Sequence, residues 1–325
     1  MNPRFPRVRP WMTTEQALRY LRQQAIRANE PIHYAYVLDH DWHLLGVVSL
    51  RDLFRASPDA VIQDIMEREV VAVREDTDQE EVARLFAEHG FFVIPVVDDA
   101  NRMKGIVTAD DIMAVVQEEA TEDIQKLGGS GVLEEPYLQV GVGRLVQKRA
   151  TWLIVLLLAG TLTASALEYF QDAIDRVTML SFFVPLIIAS GGNAGSQAST
   201  LVIRAMALGE VRRRDWWRVF RREILTGLVL GGVLAVIGLL RIVAWEWLMG
   251  SYGEYYLLLA ATVALSLAAV VLWGSLAGSM LPFLLHRLGI DPATASAPFI
   301  ATLVDVTGIV VYFTVAALIL SGTLL

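Results

Sequence analysis

The sequence predicts a multidomain fold: an α+β soluble half built on an internal repeat, followed by an α-helical polytopic membrane half of five transmembrane helices. Three observations carry this. The 325 residues are 54% hydrophobic, too apolar for an average soluble domain. The apolar residues concentrate after position 150, in stretches long enough to cross a bilayer. Charge divides at the same place: residues 1–135 hold 25 Asp/Glu against 14 Lys/Arg, and residues 136–325 hold 10 against 13. The net charge of −8 therefore describes neither half.

Cysteine is absent, which excludes disulfides, thiolate zinc sites and cysteine nucleophiles and suits a soluble half in a reducing cytosol. The opening residues MNPRFPRVRPW have no apolar core, so no cleavable signal peptide is expected. An acidic soluble half also argues against a nucleic-acid partner, which needs a basic face.

The repeat justifies the first half. YVLDHDWHLLGVVSLRDL (36–53) aligns without gaps on PVVDDANRMKGIVTADDI (95–112). Asp39 matches Asp98, Gly46 matches Gly105, Ser49 matches Thr108 and Asp52 matches Asp111. Each copy reads as strand, turn, strand, and a helix opening at the acidic residue. Amphipathic helices precede them, at 13–25 and 76–90, the second with acids in its first turn and Gly90 at its end. A unit of about 60 residues is small for a stable core, so the two are expected to pair. The pattern resembles a tandem of CBS domains, at about 10–65 and 66–117, which implies a cytosolic regulatory module.

An acid-rich helix and a Gly-rich break, QEEATEDIQKLGGSGVLEEP (117–136), come next. Residues 137–149 carry apolar positions at helical spacing and a basic end, predicting an amphipathic helix on the membrane surface. Residues 118–149 are thus read as linker and amphipathic helix, and 150–325 as the membrane domain. Five spans of about 20 or more residues follow, at 150–168, 178–208, 224–248, 256–285 and 294–322. Basic residues precede the first span and fill the 212–223 and 286–292 connections, whereas the opposite connections are acidic or neutral. The positive-inside rule places the soluble half in the cytosol and the C-terminus outside.

Two features in the membrane half carry chemistry. Asp305 lies well inside the fifth span, where a carboxylate costs about 2.5–3.5 kcal/mol and must face protein or water. The bland alternative is a buried acid bonded to a neighbouring helix, or a protonated one; the first needs a partner, and intramembrane bases are few. The second feature is VPLIIASGGNAGSQAST (184–200), a polar intrusion in an apolar span. Pro185 and its glycines predict a weakened helix with exposed carbonyls beside protein or water. Asn193 and Gln197 are spaced to share one helical face. Small-residue packing explains the glycines well and the amides poorly. An oxygen-only donor set suits hard cations. One acid per chain is too sparse to strip an ion's water, which fits a hydrated Mg²⁺. On a twofold axis, two copies of Asp305 would favour a divalent ion.

GGNAGSQASTLVIRAMALGEV together with LPFLLHRLGIDPATASAPFIATLVDVTGIVVYF closely resembles the MgtE family of magnesium channels, over roughly residues 12–322. The resemblance implies a homodimer with one pore in the bilayer, CBS domains that sense intracellular Mg²⁺, and the 137–149 helix as a gating plug. It implies Asp305 as the pore carboxylate, with Asn193 and the Ala301 carbonyl along the path. It puts Asp110, Asp111, Glu119, Glu122 and Asp123 at regulatory Mg²⁺ sites, and Tyr34, Arg51, Asp52 and Phe91 around an ATP pocket. Family members usually carry a helical domain ahead of the CBS pair; the present sequence opens on the pair. Crowded acids repel until divalent ions neutralise them, so high Mg²⁺ would favour a closed assembly. The alternatives are an ion-coupled transporter and an intramembrane enzyme using Asp305, but no substrate cleft is suggested and no enzyme activity is expected. The histidines form no convincing metal-spaced pair.

Overall fold

The computed structural model describes residues 1–25 and 33–321, which divide into two compact units, 1–121 and 122–325. The first contains β1 (Arg7–Val8), α1 (Thr14–Ala25), β2 (Tyr34–Leu38), β3 (Leu44–Ser49), α2 (Leu50–Arg55) and α3 (Ile62–Ile65). The second copy adds β4 (Val73–Arg74), α4 (Gln79–His89), β5 (Val93–Val97), β6 (Met103–Thr108) and α5 (Ala109–Leu127). The strands form two sheets of identical topology, β1-β2-β3 and β4-β5-β6, each with one parallel and one antiparallel pairing.

The sequence repeat is a structural repeat down to register. Tyr34 faces Ser49 where Val93 faces Thr108, and the two hairpins are irregular at the same place. Each repeated residue has a mechanical role. The Asp39 and Asp98 carboxylates accept the turn amides of Asp41 and His43, and of Ala100 and Arg102. Ser49 caps α2 and Thr108 accepts from the Asp111 amide at the start of α5. At Gly46 and Gly105 another segment crosses so closely that a Cβ would stand 2.6 Å from the Glu67 carbonyl and 2.7 Å from that of Asn2. The two copies share a core in which Phe5, Tyr36 and Leu38 meet Val97, Met103 and Ile106.

The second unit is helical: α6 (Val142–Tyr169), α7 (Gln171–Arg176), α8 (Met179–Ala207), α9 (Trp216–Met249), α10 (Tyr256–Arg287) and α11 (Ala297–Leu320). Five of these, all but the short α7, are long and apolar enough to cross a membrane. The last residue of the predicted fifth span, Gly322, lies outside the described residues. The core is the packing of α8 and α11 on α10, through Leu180, Ile187, Val263, Leu267, Ile300 and Tyr312. Tyr312 donates its hydroxyl to the Leu180 carbonyl at 2.9 Å, so this buried phenol is satisfied.

Two sequence expectations change. The 137–149 stretch is not a separate surface helix: residues 137–139 form a turn, and from Val142 the chain is already in α6, continuous to Tyr169. A basic amphipathic start adds turns to an apolar span because its long side chains keep their charges in water. The weakened helix expected at 184–200 is also absent, since α8 is unbroken through Pro185 and all the glycines.

Candidate functional site

The polar intrusion in α8 resolves into three faces. Gly191 and Gly195, one turn apart, lie against α10 at Gly274 and Gly278; a Cβ on Gly278 would be 2.0 Å from the Gly195 carbonyl oxygen. These glycines bring two helices into backbone contact, rather than opening a path for water. The hydroxyls tie α8 to the turn before α11 and to its first residue: Ser196 donates to the Ala297 carbonyl at 3.0 Å, and Ser199 to that of Ala295 at 3.1 Å. Ser190 and Thr200 donate to their own helix. Of the segment's hydrogen-bonding side chains, only the amides of Asn193 and Gln197 have no partner among the described residues, and both are exposed.

Gly192, between these faces, points at α11. A Cβ there would be 3.5 Å from both Ala301 and the Asp305 carboxylate oxygen. Asp305 is half-buried about 12 Å along α11, at 1.5 Å per residue. It has no hydrogen bond or ion pair among the described residues, so no neighbouring helix there supplies the partner that a bonded acid requires. Ala301 is half-buried one turn earlier in continuous helix, so its carbonyl is a helical one with a lone pair remaining rather than a freed group. The arrangement thus sets a carboxylate beside a glycine, with two unpaired amides on the adjoining face of the same helix. A carboxylate and amide oxygens are hard donors that can hold a hydrated cation without stripping its water.

The other charged groups of the bundle differ. Arg241 lies over the rings of Phe183 and Trp245, a snorkelling arrangement. Glu246 accepts from the Tyr252 amide. Asp291 caps the turn before α11 through the Ala293 amide and pairs with Lys126 at 2.5 Å.

All five sequence-predicted regulatory acids lie on α5. Asp110 and Asp111 are exposed in its first turn; Glu119, half-buried, accepts from Gln79. Glu122 is paired with Lys126, also at 2.5 Å. Burial opposes the charge of Lys126, but Asp291 and Glu122 outweigh it and raise the ammonium above its usual range. Spread along a helix, the acids do not converge within one chain. Among the described residues the one group with metal-ligand spacing is Asp39, Asp41 and His43. Sequence reasoning missed it because histidines were sought in pairs; its atoms already bond one another, His43 Nδ1 meeting Asp39 at 2.8 Å. Beside Lys126, a cavity of about 800 Å³ lies between the 129–135 linker and the start of α6, with Glu134, Glu135, Arg144 and Lys148 on its wall.

Of the nucleotide candidates, Tyr34 starts β2 opposite Ser49, which bonds Asp52. Arg51 is exposed beside it, and Phe91 is half-buried next to Phe92, whose ring stacks on His33. Tyr34, Arg51 and Asp52 therefore gather at one end of the β2–β3 hairpin, with Asp52 already used as a cap partner, whereas the Phe91 ring stacks on His89 and packs against the core of the second repeat.

Comparison with known proteins agrees with both units. The family model described as "Divalent cation transporter", MgtE, matches residues 184–315, and CBS-domain models match 1–59 and 62–118. The chain is 47% identical to the magnesium transporter MgtE of Thermus thermophilus, over 99% of this chain and 69% of the relative. It is 35% identical to that of Enterococcus faecalis, over 98% of this chain and 68% of the relative. Among solved structures, the cytosolic domain of the Mg²⁺ channel MgtE in complex with ATP is 52% identical, over 35% of this chain and 45% of that one, with a TM-score of 0.34. With the family's membrane motif and both CBS domains in place and 47% identity sustained along nearly its whole length, the chain belongs to the MgtE family of divalent cation transporters.

Proposed function

We propose that this chain forms a Mg²⁺-selective, homodimeric channel for magnesium uptake, closed by intracellular Mg²⁺ bound to its cytosolic acids. The observation that carries the reading is Asp305 beside Gly192, with Asn193 and Gln197 on the next face of α8, all three without a side-chain partner among the described residues. An intramembrane carboxylate without a protein partner is accounted for by a cation that supplies one. A single carboxylate leaves a Mg²⁺ ion most of its water, and a second copy of Asp305 across a dimer axis would add the charge that selects a divalent ion. In one chain α6 has no buried residue and presents Leu157, Leu158 and Leu162, a surface that lipid itself covers, so the homodimer rests on the charge that a second Asp305 would add. The arginine-rich connections favour a cytosolic N-terminal unit and an external C-terminus.

Asp110, Asp111, Glu119, Glu122 and Asp123 would act between chains or domains, where Mg²⁺ relieves their repulsion, and the start of α6 would move with them as the plug. ATP at Tyr34, Arg51, Asp52 and Phe91 would modulate that equilibrium. The test is Mg²⁺ flux into liposomes holding the purified chain, wild type against Asp305→Asn. Loss of Mg²⁺ flux or selectivity in the variant is expected; unchanged selectivity removes Asp305 from the pathway. Flux that requires a proton or sodium gradient would favour the ion-coupled transporter. Neutralising Glu119, Glu122 and Asp123 together is expected to abolish inhibition by internal Mg²⁺, and intact inhibition would refute the sensor.

A further inference from the structure

The helices α9 and α10 pack along each other as consecutive spans, so the start of α9 and the end of α10 lie on one membrane face. A cavity of about 510 Å³ opens there. Its wall is apolar, made by Phe220 from α9 and by Met280, Phe283 and Leu284 from α10, with Trp216 beside them. Arg213 and Arg287 complete the lining. Both arginines are exposed, and neither side chain has a hydrogen bond or ion pair among the described residues. The nearby Arg218, outside the cavity, is instead paired with Asp215.

Two guanidiniums without a partner among the described residues, beside an apolar slot, match one kind of ligand: a phosphate diester carrying a long hydrocarbon chain. Guanidinium groups bind phosphate oxygens through paired N–H donors, and an indole is at home at the headgroup level. A free phosphate would use the arginines but leave the aromatic wall without purpose. We propose that this cavity seats an anionic phospholipid, its phosphate held by Arg213 and Arg287 and one acyl chain lying along Phe220, Met280 and Phe283. The contact would fasten α9 to α10 at the membrane surface, away from Asp305, so it is independent of the ion-pathway reading.

The full chain, reconstituted in vesicles of equal phosphatidylcholine and phosphatidylglycerol, is released intact into a mass spectrometer and its retained lipids are counted. Wild type is expected to keep phosphatidylglycerol in preference to phosphatidylcholine. Each arginine near an anionic lipid contributes roughly a fivefold preference, so R213Q/R287Q is expected to lose on the order of thirtyfold. R213K/R287K, which keeps the charge without the paired donors, would restore only part of it, and R214Q/R218Q, outside the cavity, would leave it intact. An equal loss in R214Q/R218Q would show a diffuse basic surface and overturn the site, as would an unchanged preference in R213Q/R287Q. If the double glutamine variant does not fold, the single variants serve, each expected to lose about fivefold. Displacement of the retained lipid by inorganic phosphate would assign the arginines to a free anion instead. Because the chain has no cysteine, L284C also reports occupancy by a second copy: a disulfide-linked dimer without retained lipid would refute the proposal.

Discussion

Adding one methyl group at Gly278 tests whether the glycines of α8 serve helix contact or water access. The Cβ of Gly278→Ala would sit 2.0 Å from the Gly195 carbonyl oxygen, where ordinary contact begins at 3.4 Å, so α8 and α10 must part by about 1.4 Å or rotate. Both colliding groups are backbone or backbone-attached, so no rotamer change relieves the clash. Overpacking of this kind costs about 3 kcal/mol at the upper end of its range. Alanine returns about 1 kcal/mol through its better helix propensity, leaving a net loss of roughly 2 kcal/mol. For a unit of this size that corresponds to a fall of roughly 4–8 °C in thermal midpoint. The control is Gly232→Ala in α9, where nothing lies within 4 Å of the new methyl and propensity alone should act. Thermal unfolding in detergent, followed by tryptophan fluorescence at one protein concentration, separates the two. Flux should also fall in Gly278→Ala, because displacing α8 moves Gly192 off Asp305. Equal midpoints for the two variants would refute close backbone packing, and a higher flux in Gly278→Ala would restore the water-path reading.

Other expectations concern the cytosolic groups. The Asp98 carboxylate, held by the Arg102 amide, against the cost of burial, and by the Arg102 side chain and Ala100 amide, titrates at about 2. Its folded pKa lies below the unfolded value of about 3.9, so its stabilisation is present above that value and fades as pH falls towards 2. Hydrogen exchange over residues 93–108, corrected for intrinsic rates, should therefore rise between pH 4 and 2 in wild type and stay flat in Asp98→Asn; equal acid sensitivity would refute the role. Lys126 pairs with Glu122 and so competes with Mg²⁺ for it. Lys126→Met should lower the internal Mg²⁺ that halves flux by roughly fivefold, equivalent to the upper end of about 1 kcal/mol for an exposed pair; an unmoved inhibition curve would remove Glu122 from the sensor. Trp152 donates to Ser296, the N-cap of α11, at 3.2 Å. Trp152→Phe should lower the thermal midpoint by only a few degrees, about 1 kcal/mol; a larger fall would mean that the ring packing, not the bond, secures the cap.

Much of the fold was legible in the sequence. The repeat was visible because a turn needs Asp at 39 and 98, a crossing strand needs Gly at 46 and 105, and a helix start needs a hydroxyl at 49 and 108. Such local demands are written in single residues. The five spans were legible because hydrocarbon imposes a length and a composition on any helix that crosses it. Asp305 stood out for the same reason, through the cost of its charge. The matching of family motifs extended this to membership but left the roles of individual residues as proposals.

What the sequence left open was direction. Pro185 with Gly191, Gly192 and Gly195 predicted a weakened helix, yet an apolar environment makes an internal hydrogen bond far better than a broken one, and α8 stays whole. The stretch 137–149 has the period of a surface helix, but periodicity alone does not show whether the next span continues it. Only the packing decided that Gly191 and Gly195 face α10, Gly192 faces Asp305, and the two amides face neither. A rotation of about 100° per residue separates these fates, and it is fixed by which neighbouring helix offers a glycine. By itself, then, the sequence determined the parts of this protein: a duplicated α+β unit, five spans, one costly carboxylate. The tertiary structure decided which of the polar residues in the membrane are spent on packing and which remain free to meet an ion, because burial and hydrogen-bond partners come from neighbours that lie about a hundred residues away in the chain.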